Sequence, residues 1–426
     1  MDKEIYGAYL DILKDELVPA MGCTEPIAVA FAGALARKTL ETVPDTVELT
    51  VSRNIIKNVK SVIVPHTNGR RGLTTAVCAG ICYGDADKEL QVLSEAYDSD
   101  IARLDEYIQQ VRLTINESSS PYPFDIELTV RSGNDTATVR IVNDHTNVVL
   151  IRKNDTVIKK KAITQEAVQA PENRKLLTVE RIVEFANSVK LADIDAIIKR
   201  QIEYNLAIAK AGLDGYYGAQ IGRILLASYD NTVQNRAKAW AAAGSDARMN
   251  GCELPVVINS GSGNQGITAC IPVIIYGEEI HAAKDLLYRA LVVSNLVTIH
   301  LKTGIGSLSA YCGATSAGVG AGAGICYLYG GQYKEIAHTI VNALAINSGM
   351  ICDGAKASCA AKIASAVEAG LLGMQMYRHD SQFYGGDGIV VKGVENTINA
   401  VSTLAREGMR ETDTEIINLM IGKMSH

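Results

Sequence analysis

The sequence predicts an α+β protein: a mainly helical domain interrupted by an inserted α+β domain that contains an antiparallel sheet. Three observations predict it. The chain has 426 residues, enough for two or three domains at roughly 100–200 residues each. Apolar residues recur at helical spacing near the start and again from about residue 165 onward, whereas between Asp125 and Lys159 they alternate with polar ones. Aromatic residues make up only 5% while Gly numbers 37, so small side chains carry much of the packing and let helices approach closely.

Residues 4–17 place Ile5, Tyr6, Tyr9, Leu10, Leu13 and Leu17 on one helical face, and Pro19 ends that helix. A second helix follows over 25–40, with Thr24 as its N-cap and Pro26 in its first turn. From about 43 the pattern changes. Thr46–Ser52 and Ser61–Pro65 read as strands, with helices at 72–82, 86–96 and 100–111. A meander then runs through Ile126, Leu128 and Val130, and through Ala137, Val139 and Ile141. Its hairpin turns fall at Ser132-Gly133-Asn134-Asp135, Asn143-Asp144 and Lys153-Asn154-Asp155. The rest reads as helices at 178–189, 192–211, 216–228, 231–247, 279–300, 309–329, 332–347, 356–376 and 393–408. Three parts are expected. Residues 1–42 are helical and pack with the C-terminal part, whose Ala/Gly-rich texture they share. Residues 43–165 form the insert, and residues 166–426 form the main helical domain.

Charge and composition exclude several classes. Lys and Arg number 41 against 47 Asp and Glu, a net charge of −6, which is a poor footprint for nucleic acid. The opening Met-Asp-Lys-Glu lacks a basic-then-apolar leader. Thr303–Tyr333 carries no charged residue but is rich in Gly, Ser and Thr. It reads as a buried core helix with a polar edge, because a membrane span needs about 20 strongly apolar residues. The expectation is a cytoplasmic protein with neither nucleic acid nor membrane as partner; a homo-oligomer is left open. Nine cysteines, an odd number in a long chain, do not make a disulfide framework. Cys78, Cys82, Cys270 and Cys326 lie in apolar or Ala/Gly runs and read as small buried hydrophobes. Cys23, Cys312, Cys352 and Cys359 sit beside Gly, Thr, Asp or Lys and need another account.

Three segments supply it. In Met21-Gly22-Cys23-Thr24-Glu25-Pro26 the cysteine lies just before a helix N-terminus, where the dipole and free amides favour an anion. A lowered thiol pKa there makes Cys23 a candidate base, nucleophile or metal ligand; a buried cap-region thiol is the alternative. The second segment is Asn259-Ser260-Gly261-Ser262-Gly263-Asn264-Gln265-Gly266, between two apolar runs. Its glycines allow close backbone approach and its consecutive amides form an anion nest. It lacks a nucleotide-binding ending, so it reads as a carboxylate-binding loop or as a kink between packed helices. The third is Cys312 with Ser348–Cys359. On one continuous helix Cys352 and Cys359 would stand roughly 10 Å apart along the axis. A turn at Asp353-Gly354 would instead leave Cys352 in a loop and Cys359 in the first turns of the next helix. Three thiolates leave one iron of a cubane without a protein ligand, as a Lewis-acid catalyst needs, whereas an electron carrier is usually closed by four cysteines.

Taken together, Gly-Cys-Thr-Glu-Pro at 22–26, Ser-Gly-Ser-Gly-Asn at 260–264, Cys312 and Cys-Asp-Gly-Ala-Lys-x-Ser-Cys at 352–359 resemble the L-cysteine desulfidase family, which is related to the α chain of bacterial iron–sulfur L-serine dehydratases. Their order and spacing span nearly the whole chain. The resemblance implies an oxygen-sensitive 4Fe-4S cluster held by Cys312, Cys352 and Cys359, with Cys23 as the proton acceptor or a nearby acid–base group. It implies a carbon–sulfur lyase that needs no pyridoxal phosphate and converts L-cysteine and water to pyruvate, ammonia and hydrogen sulfide.

The chemistry is coherent. β-Elimination removes a weakly acidic Cα proton and expels a β-substituent, whose charge an open iron can stabilise, while a thiolate takes the proton. The candidate substrate-binding residues are Thr24, Glu25, Asn68, Ser260, Gly261, Ser262, Gly263 and Asn264, and the expected partner is a small amino acid, L-cysteine or L-serine. Lys57-Asn58 and His66–Arg71 flank the second expected strand and read either as substrate contacts or as a solvated basic loop. Lys57 and Lys356 are weak candidates for a Schiff-base lysine. The competing readings are an L-serine dehydratase on the same scaffold and a non-catalytic iron–sulfur sensor.

Overall fold

Ala- and Gly-rich segments form helices whose backbones touch, and these contacts organise the molecule. The structure is a computed structural model that describes residues 1–163, 172–306 and 308–421. The chain opens with α1 (Lys3–Glu16), β1 (Pro19–Met21), α2 (Thr24–Leu40), β2 (Thr46–Val51), α3 (Arg53–Val59), α4 (Gly72–Tyr83) and α5 (Asp98–Gln110). Strands β3 (Arg112–Glu117), β4 (Asp125–Ser132), β5 (Asp135–Val142), β6 (Val148–Lys153) and β7 (Thr156–Lys160) come next. The remainder is α6 (Val179–Ser188), α7 (Leu191–Asp214), α8 (Ile221–Ser228), α9 (Val233–Met249), β8 (Pro255–Val257), α10 (Gly263–Glu279), α11 (Lys284–Ile305), α12 (Gly313–Leu328), α13 (Tyr333–Ile346), α14 (Cys359–Arg378), α15 (Val394–Thr403) and α16 (Arg410–Ile421). The α+β class is observed. The expected boundary near 165 lies outside the described residues.

Six strands form one sheet in the order β3-β2-β4-β5-β6-β7. It is antiparallel except at one edge, where β2 and β3 run parallel, Val47 facing Leu113 and Leu49 facing Ile115. The alternation that predicts the meander is visible in burial: Ile126, Leu128 and Val130 of β4 and Ala137, Val139 and Ile141 of β5 are all fully buried. α2 covers that face and crosses α4. At the crossing a Cβ on Gly80 would stand 1.9 Å from Ala30 O, so only glycine allows it. α2 thus packs on the sheet and α4, unlike α1, which meets α7 and α11. Shared small-residue texture predicts that both helices join the C-terminal part. Complementarity with the Ala/Gly-rich α4 and the sheet decides the partner of α2 instead.

Two further differences matter for the site. Residues 61–65 form a turn region with one isolated bridge, Ile63 to Arg71, and no strand; Pro65 leaves a ladder position without a donor. Residues 53–59 are helical, so Lys57 and Asn58 are buried on α3 and do not sit in a solvated loop.

The C-terminal helices pack through α12. A Cβ on Gly370 of α14 would stand 2.1 Å from Gly318 O, and one on Gly318 would stand 2.2 Å from Ala366 O. Backbone atoms cannot rotate aside. Gly370→Ala is therefore expected to destabilise the fold by about 1–3 kcal/mol, read as a lower melting temperature by circular dichroism; an unchanged value would show that α12 and α14 can separate freely. Residues 313–328, within the uncharged stretch, are this buried helix. Among the described residues no helix is long and apolar enough to cross a membrane.

Candidate active site

Two short strands bring the first two motifs together. β1 and β8 pair antiparallel, Pro19 opposite Val257 and Met21 opposite Pro255, so the turn into α2 and the loop into α10 lie side by side. Gly22 has φ +62° and faces Pro65, where a Cβ would meet Cγ at 2.3 Å. Thr24 Oγ1 donates to Gly261 O at 2.9 Å, tying the two segments directly. In the loop, Ser260 and Gly261 both adopt positive φ, and α10 starts at Gly263.

Cys23 lies at the start of α2 as expected, but it, and not Thr24, is the N-cap; Thr24 is the first helical residue. The expected lowering of its thiol pKa is not found. The side chain is buried and Sγ donates to Glu25 Oε2 at 3.1 Å. Burial, then the Glu25 charge, push the thiol well above its ordinary value, against a smaller pull from Arg248. The helix terminus is outweighed because the thiol is buried and, next to it, a carboxylate already carries the negative charge. Glu25 also accepts from Thr24 Oγ1 at 3.2 Å and from Asn58 Nδ2 at 3.1 Å. Burial opposes its charge, but His145, the Cys23 thiol, its own backbone N–H and Arg248 together hold the carboxyl below its usual range. The pair is a thiol donating to a carboxylate.

The third motif folds as the Asp353-Gly354 turn requires. Cys312 caps α12, Cys359 is the first residue of α14, and Cys352 lies in the preceding loop. An isolated bridge pairs Tyr311 with Ile351. Around it Cys312 N donates to Met350 O at 2.9 Å and Cys352 N to Ala310 O at 2.6 Å, which sets the two cysteines side by side. Gly354, at φ +88°, leaves room for the backbone of α3: a Cβ would stand 2.5 Å from Lys57 O. Asp353 anchors the turn through Lys356 and Lys362, and burial notwithstanding, those ammonium groups bring its pKa down to about 2.

The thiols are electrostatically distinct. A hydrogen bond from Cys312 lowers Cys352 to about 6 against the effect of burial, with help from Lys57, the Gly354 N–H and Lys302. Cys312, as the donor in that bond and buried, is raised. Cys359 is raised by burial and packs against a small apolar cluster of Cys23, Val62 and Met249.

Cys23, Cys312, Cys352 and Cys359 all line one cavity of about 110 Å³. Ser262 and Asn264 line it too. Glu25, Ser262, Gln265 and Lys302 also border a wide cleft of about 1150 Å³ between the helices and the β5–β6 turn. Ser260 and Gly261 face that cleft only, beneath His145, whose Cε1 would lie 3.0 Å from a Cβ on Gly261. Thr24 is buried behind the cavity through its bond to Gly261, and Gly263 lies against the Arg248 guanidinium. Asn68 is exposed, with φ +55°, and lines neither space.

Sequence reasoning missed Arg248, Lys302 and His145, and it noted Gln265 only within the Gly-rich segment and not as a candidate contact. Arg248 ends an Ala-rich helix and Lys302 interrupts an apolar one, so a lone cation on a buried face was the available signal. His145 had none, because it sits in a turn. Lys302 is fully enclosed, and burial brings it down to about 8 while Cys352 and Cys312 pull the other way. Lys57 pairs with Asp413 of α16 at 2.5 Å.

The family model of the serine dehydratase alpha chain matches residues 87–418. The chain belongs to the serine dehydratase alpha-chain family. It is 54% identical over 420 residues to the UPF0597 protein of Desulfitobacterium hafniense, covering 99% of this chain and 98% of the relative. The UPF0597 protein of Lachnoclostridium phytofermentans is 46% identical over 417 residues, 98% of this chain and 100% of the relative. That of Treponema denticola is 42% identical over 427 residues, 99% of each. Membership of the serine dehydratase alpha-chain family points to a lyase acting on a small amino acid, and its members are usually iron–sulfur enzymes.

The donor set can be tested against such a cluster. Among the described residues no three His, Cys, Asp or Glu side chains close on a single metal ion. What the serine dehydratase alpha-chain fold provides is three thiols spread around a cavity wall, two of them at helix N-termini, with Lys57 and Lys302 alongside. Thiolate donors, amide-rich helix starts and buried cations suit an anionic iron–sulfur group.

Proposed function

We propose that this chain is an iron–sulfur-dependent lyase that eliminates the β-substituent of L-cysteine to give pyruvate, ammonia and hydrogen sulfide, without pyridoxal phosphate, in the cytoplasm. One observation carries the reading: the three candidate ligand thiols and the Cys23–Glu25 pair line or border the same small cavity. Cys312, Cys352 and Cys359 would hold a 4Fe-4S cluster, which supplies Lewis-acid stabilisation of the departing sulfur.

The protein's own groups handle the proton. Cys23 rests as a thiol with its proton directed at Glu25 Oε2. When that proton passes along the hydrogen bond, Glu25 becomes the acid and the Cys23 thiolate is a strong base, because its thiol pKa is high. It then takes the Cα proton, and Glu25 holds a proton for the leaving group. Asn58 and Thr24 hold the carboxylate in line, and Ser262 and Asn264 position the substrate. The aminoacrylate released then hydrolyses without further help.

A second reading, the same elimination from L-serine, is favoured by the family match. Anaerobic assay after iron and sulfide reconstitution separates them. Sulfide from L-cysteine with no pyruvate from L-serine is expected. The reverse result would change the substrate and keep the site. Turnover of neither by protein that carries the cluster would leave a sensor.

A further inference from the structure

Arg248 is buried at the end of α9, 2% exposed. Its Nε and Nη2 have no hydrogen-bond partner; the Glu25 carboxylate is near enough to feel its charge, but no carboxylate among the described residues forms an ion pair with it. A buried guanidinium left so is costly unless an anion completes it. Nε and Nη2 lie on one edge of the guanidinium, the edge that takes both oxygens of a carboxylate. Gly263 lets the guanidinium pack against the start of α10: a Cβ there would stand 2.3 Å from Arg248 Nε. The Asn264 Oδ1 and Gln265 Oε1 carbonyls are also buried and unpartnered, and both residues line the same cavity as Arg248. They are acceptors that lack donors, beside donors that lack an acceptor.

We infer that Arg248 binds the α-carboxylate of a zwitterionic amino acid, with the Asn264 and Gln265 carbonyls receiving its ammonium group. Of the other two cations of the cavity, Lys57 pairs with Asp413, and burial brings Lys302 down to about 8, which makes it the weaker anchor for a carboxylate. The start of α10 therefore contributes the carbonyl acceptors and, at Gly263, the space that admits the guanidinium, and the carboxylate is held by an arginine from another helix. This inference rests on the amino-acid lyase reading for its substrate class but not for its geometry.

The test uses anaerobically reconstituted full-length protein and L-alanine, which has no β-leaving group, as the calorimetric probe. L-Alanine should bind, and L-alaninamide, with a neutral amide in place of the carboxylate, should bind at least about 10-fold more weakly. Arg248→Gln should weaken L-alanine about 10–100-fold, leave L-alaninamide unchanged and keep the far-ultraviolet spectrum; Arg248→Lys should recover part of the loss. In turnover, KM should rise more than kcat falls. Equal binding of the two probes by the unaltered protein overturns the inference even where the variants do not fold. So does absence of L-alanine binding, or unchanged affinity in folded Arg248→Gln. If Arg248 binds L-alanine but neither L-cysteine nor L-serine is eliminated, the lyase reading fails and the receptor stands. Elimination with unchanged KM in Arg248→Gln overturns the receptor and leaves the lyase reading in place.

Discussion

Replacing Cys312, Cys352 or Cys359 singly by alanine is expected to abolish the broad absorption near ~400 nm and the bound iron of the reconstituted protein, with helix content intact. The separation of the two readouts follows from the structure. Each of the three residues lines the cavity, while the backbone around it is held by groups that the substitution leaves alone. Cys312 N and Cys352 N keep their bonds to Met350 O and Ala310 O, and Asp353 keeps Lys356 and Lys362. Losing one small side chain at a cavity wall costs little against the stability of a large fold. Loss of colour in only one of the three variants would mean that the others are ordinary core thiols, and the lyase reading would fail with them.

The second large effect is expected at the proton-handling pair. Cys23→Ala and Glu25→Gln should each lower turnover by about 10²–10⁴-fold while keeping most of the colour. Glu25→Gln retains the shape and an acceptor for Asn58 Nδ2 but cannot receive the thiol proton, so a rate loss there separates proton transfer from packing. The double variant should be no worse than the poorer single one, since the two act as one unit. Bleaching in Cys23→Ala would make Cys23 a cluster ligand and remove it from the acid–base role.

Much of this was legible along the chain. The helix starting after Cys23 followed from Thr24 and Pro26, and the turn at Asp353-Gly354 from the residue pair itself, because such signals act over a few residues. Alternation in Asp125–Val142 likewise reports a buried sheet face directly. What escaped depends on partners distant in sequence. Lys57 reads as a loop cation until Asp413 is seen beside it. The pKa of Cys23 follows helix-dipole logic until burial, and after it the charge of Glu25, reverses it. The short α3 was obscured because Asn54-Ile55-Ile56 has a strand-like composition, and its helix is imposed by what it packs against.

The Lys57–Asp413 bond joins the third helix to the last described one, and the chamber beside it is walled by segments from Cys23 to Ile363. No early portion of the nascent polypeptide contains a finished pocket. On the ribosome Cys23 emerges long before the cysteines it will face, and the clasp forms only once Asp413 has been translated. A group that needs all of these cysteines therefore finds them together only once Cys359 has emerged and folded.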